Sequence, residues 1–80
     1  MTTRELINHD IRMTWIGTSR YRISCTYRNE DIHCETNDSM MYDAFTSCEP
    51  YTKEMCCGMT WRQAAEKAYH RCVGINTRWK

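Results

Sequence analysis

A strict alternation of residue types over residues 20–28 is the feature of this sequence that most restricts its fold. The alternating sets are Tyr21, Ile23, Cys25 and Tyr27 on one side and Arg22, Ser24, Thr26 and Arg28 on the other. Successive side chains of a β-strand point to opposite faces. The period of two therefore predicts a strand with one buried face and one face in water.

The segment before this strand shows the same pattern and predicts a hairpin. Residues 11–16 alternate apolar with mostly polar side chains, and Gly17-Thr18-Ser19 supplies a short loop that can turn the chain. This loop would set Trp15 opposite Tyr21, so that the apolar faces of the two strands coincide.

The segment after this strand predicts a third antiparallel partner. A turn over residues 28–31 would set Tyr27 against Ile32 and Cys25 directly opposite Cys34, which keeps the apolar side chains on one face. The three strands form a meander, with each strand beside the one that precedes it.

Helix signals surround the sheet. Asn37-Asp38-Ser39 offers N-caps to a short amphipathic helix. Its apolar positions are Met40, Met41, Ala44, Phe45 and Cys48. Pro50 is typical of the first turn of a helix, so it predicts a further turn or short helix that ends at Gly58. Residues 2–9 are predicted to add one or two helical turns.

The clearest helix signal lies near the C-terminus. Thr60 and Gln63 match a capping box, and Gly74 stands where a C-terminal cap belongs. The apolar stripe between them is Trp61, Ala64, Ala65, Ala68, Cys72 and Val73. This helix is expected to cover the apolar face of the sheet. The sequence thus predicts one α+β domain over residues 1–80, a three-stranded antiparallel sheet with helices packed on one face.

The predicted core has an unusual composition. Leu, Ile, Val and Phe together number nine of 80 residues, below the fraction of about one fifth under which disorder is common. The net charge is only +1, however, and six Met, six Cys, five Tyr and three Trp take the place of the aliphatic residues. The sheet face Ile11, Met13, Trp15, Tyr21, Ile23, Cys25, Tyr27, Ile32 and Cys34 is expected to pack beneath Phe45, Trp61, Ala68 and Cys72.

Six cysteines raise the question of disulfides and metal. Residues 1–20 carry charges and no long apolar run, so a cytoplasmic protein without a membrane partner is expected, and thiols there stay reduced. The Cys25–Cys34 pair is the best-placed disulfide candidate. Cys48, Cys56, Cys57, His70 and Cys72 are the residues to test for zinc, although no Cys-x-x-Cys spacing occurs and buried free thiols are favoured.

Charge is segregated along the chain despite the small net value. Residues 11–29 sum to +4, residues 55–80 sum to +4, and residues 30–54 sum to −6 from seven acids against Lys53. The candidate partner-binding carboxylates are Asp31, Glu35, Asp38, Asp43, Glu49 and Glu54. Such a block can steer a basic partner and set its orientation. In the tail, Arg78 and Trp79 are further candidate anchors.

The polar face of the sheet supports an alternative function. Arg12, Arg22 and Arg28 would lie there among hydroxyl side chains, a combination suited to phosphate contacts. The expected face lacks an aromatic platform for base stacking, on which sheets that bind single strands depend. A nucleic-acid-binding module is therefore the second hypothesis.

The string RYRISCTYRNEDIHCETNDSMMYDAF, followed by GMTWRQAAEKAY, resembles a type of small strand-strand-strand-helix protein found among phage and mobile-element accessory genes. The similarity covers residues 11 to about 73. Its marks are the Tyr/Arg-alternating strands, the Asn-Asp-Ser helix start followed by Asp43, and the Thr-capped, Gln-Ala-rich last helix. The resemblance implies a compact protein that binds and blocks a host factor, as anti-CRISPR proteins do.

These observations together favour recognition over catalysis. We expect a non-enzymatic inhibitor or adaptor, of phage anti-defence type, that presents the acidic 30–54 segment to a host nucleic-acid-binding protein. No nucleophile with an orienting base and oxyanion site is recognisable, so no catalytic residue, cofactor or metal is assigned. Whether the chain also forms a homodimer is left open.

Overall fold

The computed structural model describes residues 1–77 and confirms the predicted α+β class with its three-stranded antiparallel sheet. The elements in chain order are α1 (Thr3–Asn8), β1 (Arg12–Gly17), β2 (Arg20–Tyr27), β3 (Glu30–Thr36), α2 (Ser39–Ser47), β4 (Met55–Cys56), β5 (Met59–Thr60) and α3 (Trp61–Thr77). The sheet order is β1-β2-β3, and β4 and β5 form a separate hairpin. Arg78 and Trp79, the candidate anchors of the tail, lie outside the described residues.

The β1–β2 hairpin has the predicted register but not the predicted burial. Trp15 pairs with Tyr21 as expected, yet Trp15 is 62% exposed, so its assignment to the core is wrong. Tyr21 is buried because the ring of Tyr42 stacks on it at 4.3 Å between centroids. Trp15 lies on an edge strand, where pairing becomes irregular between Trp15 and Gly17, and a neighbouring strand flanks it on one side only.

The β2–β3 hairpin corrects the predicted register by two residues. Arg28 and Asn29 both have positive φ, 53° and 65°, and form a two-residue turn of the mirror-image kind that suits the twist of a hairpin. Cys25 therefore pairs with Ile32, and Ile23 pairs with Cys34, so Cys25 does not lie directly opposite Cys34. A shift of two leaves each side chain on its predicted face.

The core lies between the sheet and α3, as the sequence predicts. Ile23 and Cys25 of β2 and the small residues of α3 have no exposed surface, and α2 joins them through Met41 and the Phe45–Trp61 ring stack. The fully buried members of α3 are Ala64, Ala65, Ala68 and Cys72. Leu6 of α1 is fully buried as well. Met40 is exposed and belongs to the outer face of α2, contrary to expectation.

Helix α3 begins as predicted but does not end as predicted. The Thr60 amide donates to Gln63 Oε1 at 2.9 Å, and the Gln63 amide donates to Thr60 Oγ1 at 3.2 Å, which completes the capping box. Gly74 is a helical residue rather than a cap, since α3 continues to Thr77. The last turn is held from outside the helix, because Asn76 Nδ2 donates to the His33 carbonyl at 2.9 Å.

Two further local features depart from the sequence prediction. Gly58 does not end a helix but, with Cys57, forms the turn between β4 and β5, with φ of 56° at Cys57 and 79° at Gly58. A second capping box at α1, between Thr2 and Glu5, was not predicted. No helix within residues 1–77 has the length and apolar content needed to cross a membrane.

Replacing Gly74 by Ala is expected to raise the free energy of unfolding by about 1 kcal/mol, the helix-propensity difference between the two residues. The added methyl group meets no atom within 4 Å. Gly58→Ala is the matched comparison, because φ is +79° there and the left-handed conformation costs a non-glycine residue about 1–2 kcal/mol. Urea denaturation measures both. A destabilised Gly74→Ala variant would show that α3 does not continue through this residue.

Candidate protein-binding surface

The six candidate carboxylates occupy three separate places in the fold. Asp31 and Glu35 lie on the water-facing side of β3, and Asp38 lies at the start of α2. The remaining three, Asp43, Glu49 and Glu54, lie along α2 and the loop that follows it. The structure therefore does not assemble all six into one acidic surface.

The two carboxylates on the sheet are engaged with neighbouring strands. Glu35 accepts a hydrogen bond from an Arg20 guanidinium nitrogen, and this bond together with the arginine charge lowers the pKa of Glu35. Asp31 Oδ1 accepts from Thr26 Oγ1 at 3.3 Å. The sequence analysis did not include Arg20 in the basic face, although its position two residues before Arg22 gives it the same side of β2.

Asp38 has a structural role. Its Oδ1 accepts from the Met41 amide at 3.0 Å, which caps α2, and its Oδ2 lies 3.2 Å from Lys67 Nζ on α3. The bond from the Met41 amide, followed by that from Lys67, lowers the pKa of Asp38 against the opposing effect of partial burial. Asp38 thus caps one helix and ties it to another.

The last three carboxylates are exposed and lie beside exposed apolar side chains. Within residues 1–77, no ion pair engages Asp43, Glu49 or Glu54. Tyr51 is 71% exposed and Met55 is 60% exposed. We call Asp43, Glu49, Tyr51, Glu54 and Met55 the acidic end.

The β4–β5 hairpin packs against α2 and brings these residues to one region. The Cys56 thiol, followed by burial, raises the pKa of Cys57, with a smaller contribution from the charge of Asp43. Burial, followed by Cys56, raises the pKa of Cys48, with a smaller contribution from the charge of Glu54. Each carboxylate therefore lies close enough to the thiols of the hairpin and the α2 C-terminus to affect their ionisation. Sequence reasoning identified the acids but not the exposure of Tyr51 and Met55, because it assigned residues 50–58 to a turn or helix.

The structure separates the residues considered for zinc. Cys72 lies on the buried side of α3, close to Cys25 and Cys34 of the sheet. Cys48 caps the C-terminus of α2, Cys56 and Cys57 lie in the β4–β5 hairpin, and His70 is exposed on α3. In the described part of the chain, no group of three metal-binding side chains has the arrangement to hold an ion. All six thiols are free, including the candidate disulfide pair Cys25 and Cys34.

The buried thiols of Cys25, Cys34 and Cys72 are close enough to affect one another's ionisation. Cys72 Sγ lies 3.9 Å from the Ile23 carbonyl oxygen, and its interactions with Cys34 and burial raise its pKa. The hydrogen bond from Cys72, with help from Arg71, lowers the pKa of Cys34.

The basic face of the sheet is partly neutralised by nearby acids. Arg12 Nε lies 3.6 Å from Asp10 Oδ2, and Arg22 pairs across the strands with Glu35. Arg28 lies in the β2–β3 turn, with its guanidinium 5.1 Å from the Tyr27 ring centroid. Arg12 and Arg22 line one shallow pocket with Asp31 and His33, whereas Arg28 does not line it, so the structure brings together two of the three arginines of the nucleic-acid hypothesis.

Comparison of the chain with protein-family models, with curated proteins and with solved structures gave no match.

Replacing Asp38 by Ala is expected to lower the free energy of unfolding at pH 7 by about 1–2 kcal/mol, the cost of removing an N-cap. The folded pKa of Asp38 is lowered from an ordinary value of about 3.9. Its contribution is therefore complete above that value and is lost as the pH falls through the lowered pKa. The difference from the wild type should shrink in acid, as measured by urea denaturation between pH 7 and pH 2.

The control for this experiment is Asp43→Ala, at an exposed position of the same helix. It should change the free energy of unfolding by less than about 0.5 kcal/mol. An Asp38→Ala variant as stable as the control at pH 7 would contradict the capping role.

Native alkylation should reach Cys57 first, then Cys56, and leave the other four thiols unmodified until the protein unfolds, because those four are buried. At pH 8, Cys57 should react with iodoacetamide more slowly than an unstructured cysteine peptide. The neighbouring Cys56 thiol, followed by partial burial, raises the pKa of Cys57, and only the thiolate reacts. The two rates should converge at higher pH. Peptide mass spectrometry gives the order, and early modification of Cys25 or Cys72 would contradict the described core.

Proposed function

We propose that this protein is a non-enzymatic inhibitor or adaptor whose acidic end binds a basic, nucleic-acid-binding host protein. The observation that carries the proposal is the difference between the two sets of carboxylates. Glu35 and Asp38 are paired with cations of the chain, whereas Asp43, Glu49 and Glu54 have no ion-pair partner among residues 1–77. Asp31 and Glu35 stay predictions as partner contacts.

Like charges that are grouped without partners do not stabilise a fold. Their mutual repulsion disfavours the compact state, and their field attracts and orients a partner of opposite sign. The basic surfaces of nucleic-acid-binding proteins are lined with lysine and arginine that contact phosphate. Carboxylates held on a helix and on the loop that follows it would compete with phosphate for those same cations.

The apolar members of the acidic end supply contact area. Tyrosine and methionine are enriched at protein interfaces, whereas lysine and glutamate are depleted from the interface centre, and the interface rim is polar. Tyr51 lines a shallow groove with Lys53 and Arg62, and Met55 is exposed on β4. Tyr51 and Met55 lie next to Glu49 and Glu54 in the sequence and would add apolar contact area beside these charges.

The role of a phage anti-defence protein, which the sequence resemblance implies, is part of this proposal. Blocking a nucleic-acid-binding host factor requires no catalysis, only occupancy of its cationic site. A nucleic-acid-binding function of the chain itself receives less support, because Asp10 and Glu35 lie among the arginines of the sheet face.

Removing the charges of the acidic end should abolish partner capture. The variant Asp43→Asn/Glu49→Gln/Glu54→Gln keeps side-chain shape and removes three negative charges. Immobilised wild-type protein is expected to retain basic nucleic-acid-binding proteins from a bacterial lysate, and added duplex DNA or RNA should displace them. The variant should retain these proteins at least tenfold less, a loss of about 1.4 kcal/mol or more.

The matched control is Asp10→Asn/Glu30→Gln/Glu66→Gln, which changes the net charge equally at positions outside the acidic end. It should capture the same proteins as the wild type. If both variants lost partner capture equally, the effect would come from net charge alone. If added nucleic acid did not displace the captured proteins, competition for a phosphate site would be contradicted. Direct binding of DNA to the purified chain at low salt, falling steeply as salt is raised, would favour the alternative.

A further inference from the structure

The two edges of the three-stranded sheet differ in how their backbone groups are satisfied. At the β3 edge, the His33 carbonyl accepts from Asn76 Nδ2 at 2.9 Å, and the Glu35 carbonyl accepts from Arg71 Nε at 3.1 Å. Both donors belong to α3, which lies along this strand. Side chains of the helix therefore occupy hydrogen-bonding positions that another strand would need.

The register shows which backbone groups of β1 point outward. Since the carbonyls of His33 and Glu35 point away from β2, Cys34 is the residue whose backbone groups point toward Ile23. By alternation along β2, the backbone groups of Arg22 and Ser24 point toward β1. The Thr26 amide follows this alternation, because it donates to the His9 carbonyl on the β1 side at 2.7 Å.

Met13 and Trp15 are therefore the β1 residues whose amides and carbonyls face away from the sheet. Arg12 and Thr14 pair with Ser24 and Arg22 and use their backbone groups in the ladder. In the described part of the chain, β2 is the only element that forms hydrogen bonds with the backbone of β1. The exposed Trp15 side chain lies at the same edge.

We propose that β1 pairs with β1 of a second copy of this chain, antiparallel and about a twofold axis through Thr14, to give a continuous six-stranded sheet. In this register, Met13 lies opposite Trp15 of the second copy, and each such pair exchanges both of its backbone hydrogen bonds. Thr14 lies opposite Thr14. The Trp15 ring of each copy then lies beside Met13 of the other on the helix-covered face.

The charge pattern of β1 fits a second copy. Arg12 is the only charged residue of the strand, and in this register it lies opposite Ile16, so no like charges face each other. Natural edge strands are commonly protected by charged residues within the strand, and Met13–Gly17 carries none. Pairing of one short strand buries less than the roughly 800 Å² per partner of a standard interface. The dimer should therefore be weak and should dissociate when the protein is diluted.

Amide hydrogen exchange of the wild-type protein tests the register directly. As protein concentration rises, the amides of Met13 and Trp15 should become protected at least tenfold, in step with a doubling of mass in sedimentation equilibrium. The Thr14 amide, already bonded within the sheet, should not change in this way. A protein that stays monomeric at millimolar concentration, or a dimer in which Met13 and Trp15 exchange as in the monomer, would overturn the proposal.

Substitutions at Trp15 provide a second test. Trp15→Lys places a charge at the edge, and Trp15→Pro removes an outward amide that β2 does not use; both should remain monomeric. Met40→Lys is the matched control, because Met40 is a large apolar residue that is 57% exposed and lies outside both β1 and the acidic end; this variant should dimerise as the wild type does. Circular dichroism checks that each variant is folded. If the proline variant unfolds, the result for Trp15→Lys alone tests pairing through β1. Unchanged dimerisation of folded Trp15→Lys would refute pairing through β1.

Discussion

The close packing of α3 on the sheet is the interaction on which the rest of the structure depends. The helix presents Ala64, Ala65 and Ala68 inward, all without exposed surface, and such small side chains let the helix lie close to the strands. With so few large aliphatic residues in the chain, tight contact has to replace bulk. The same placement brings Arg71 and Asn76 to the β3 edge and Lys67 to Asp38, so one helix also fixes the sheet edge and the start of α2.

The sequence predicts those parts of the fold that depend on periodicity and on local hydrogen bonds. Alternation along β2 identified the buried face, and the Thr60–Gln63 pair identified the start of α3. Features set by the exact turn conformation or by tertiary context were missed. The Arg28-Asn29 turn decides the β3 register, the edge position of β1 exposes Trp15, and contacts with β3 carry α3 past Gly74.

The sequence predicts which residue types form the candidate site, but it does not predict where the fold places them. A count of charges identifies the acidic 30–54 segment, but adjacent positions in a sequence can lie on opposite sides of a fold. Strand β3 turns Glu35 toward Arg20, and the helix start at Asp38 meets Lys67, so two of the six carboxylates serve the fold. Asp43, Glu49 and Glu54 remain available because no cation among residues 1–77 forms an ion pair with them.

The contact of α3 side chains with the β3 edge also has a consequence for assembly. A sheet with two open edges can add strands at both sides without limit and so grow into fibrils. With Asn76 and Arg71 covering one side, addition is confined to the other, and a twofold contact there uses up the last free edge. The C-terminal half of α3 therefore prevents strand addition at the β3 edge, and any assembly through the sheet has a finite size.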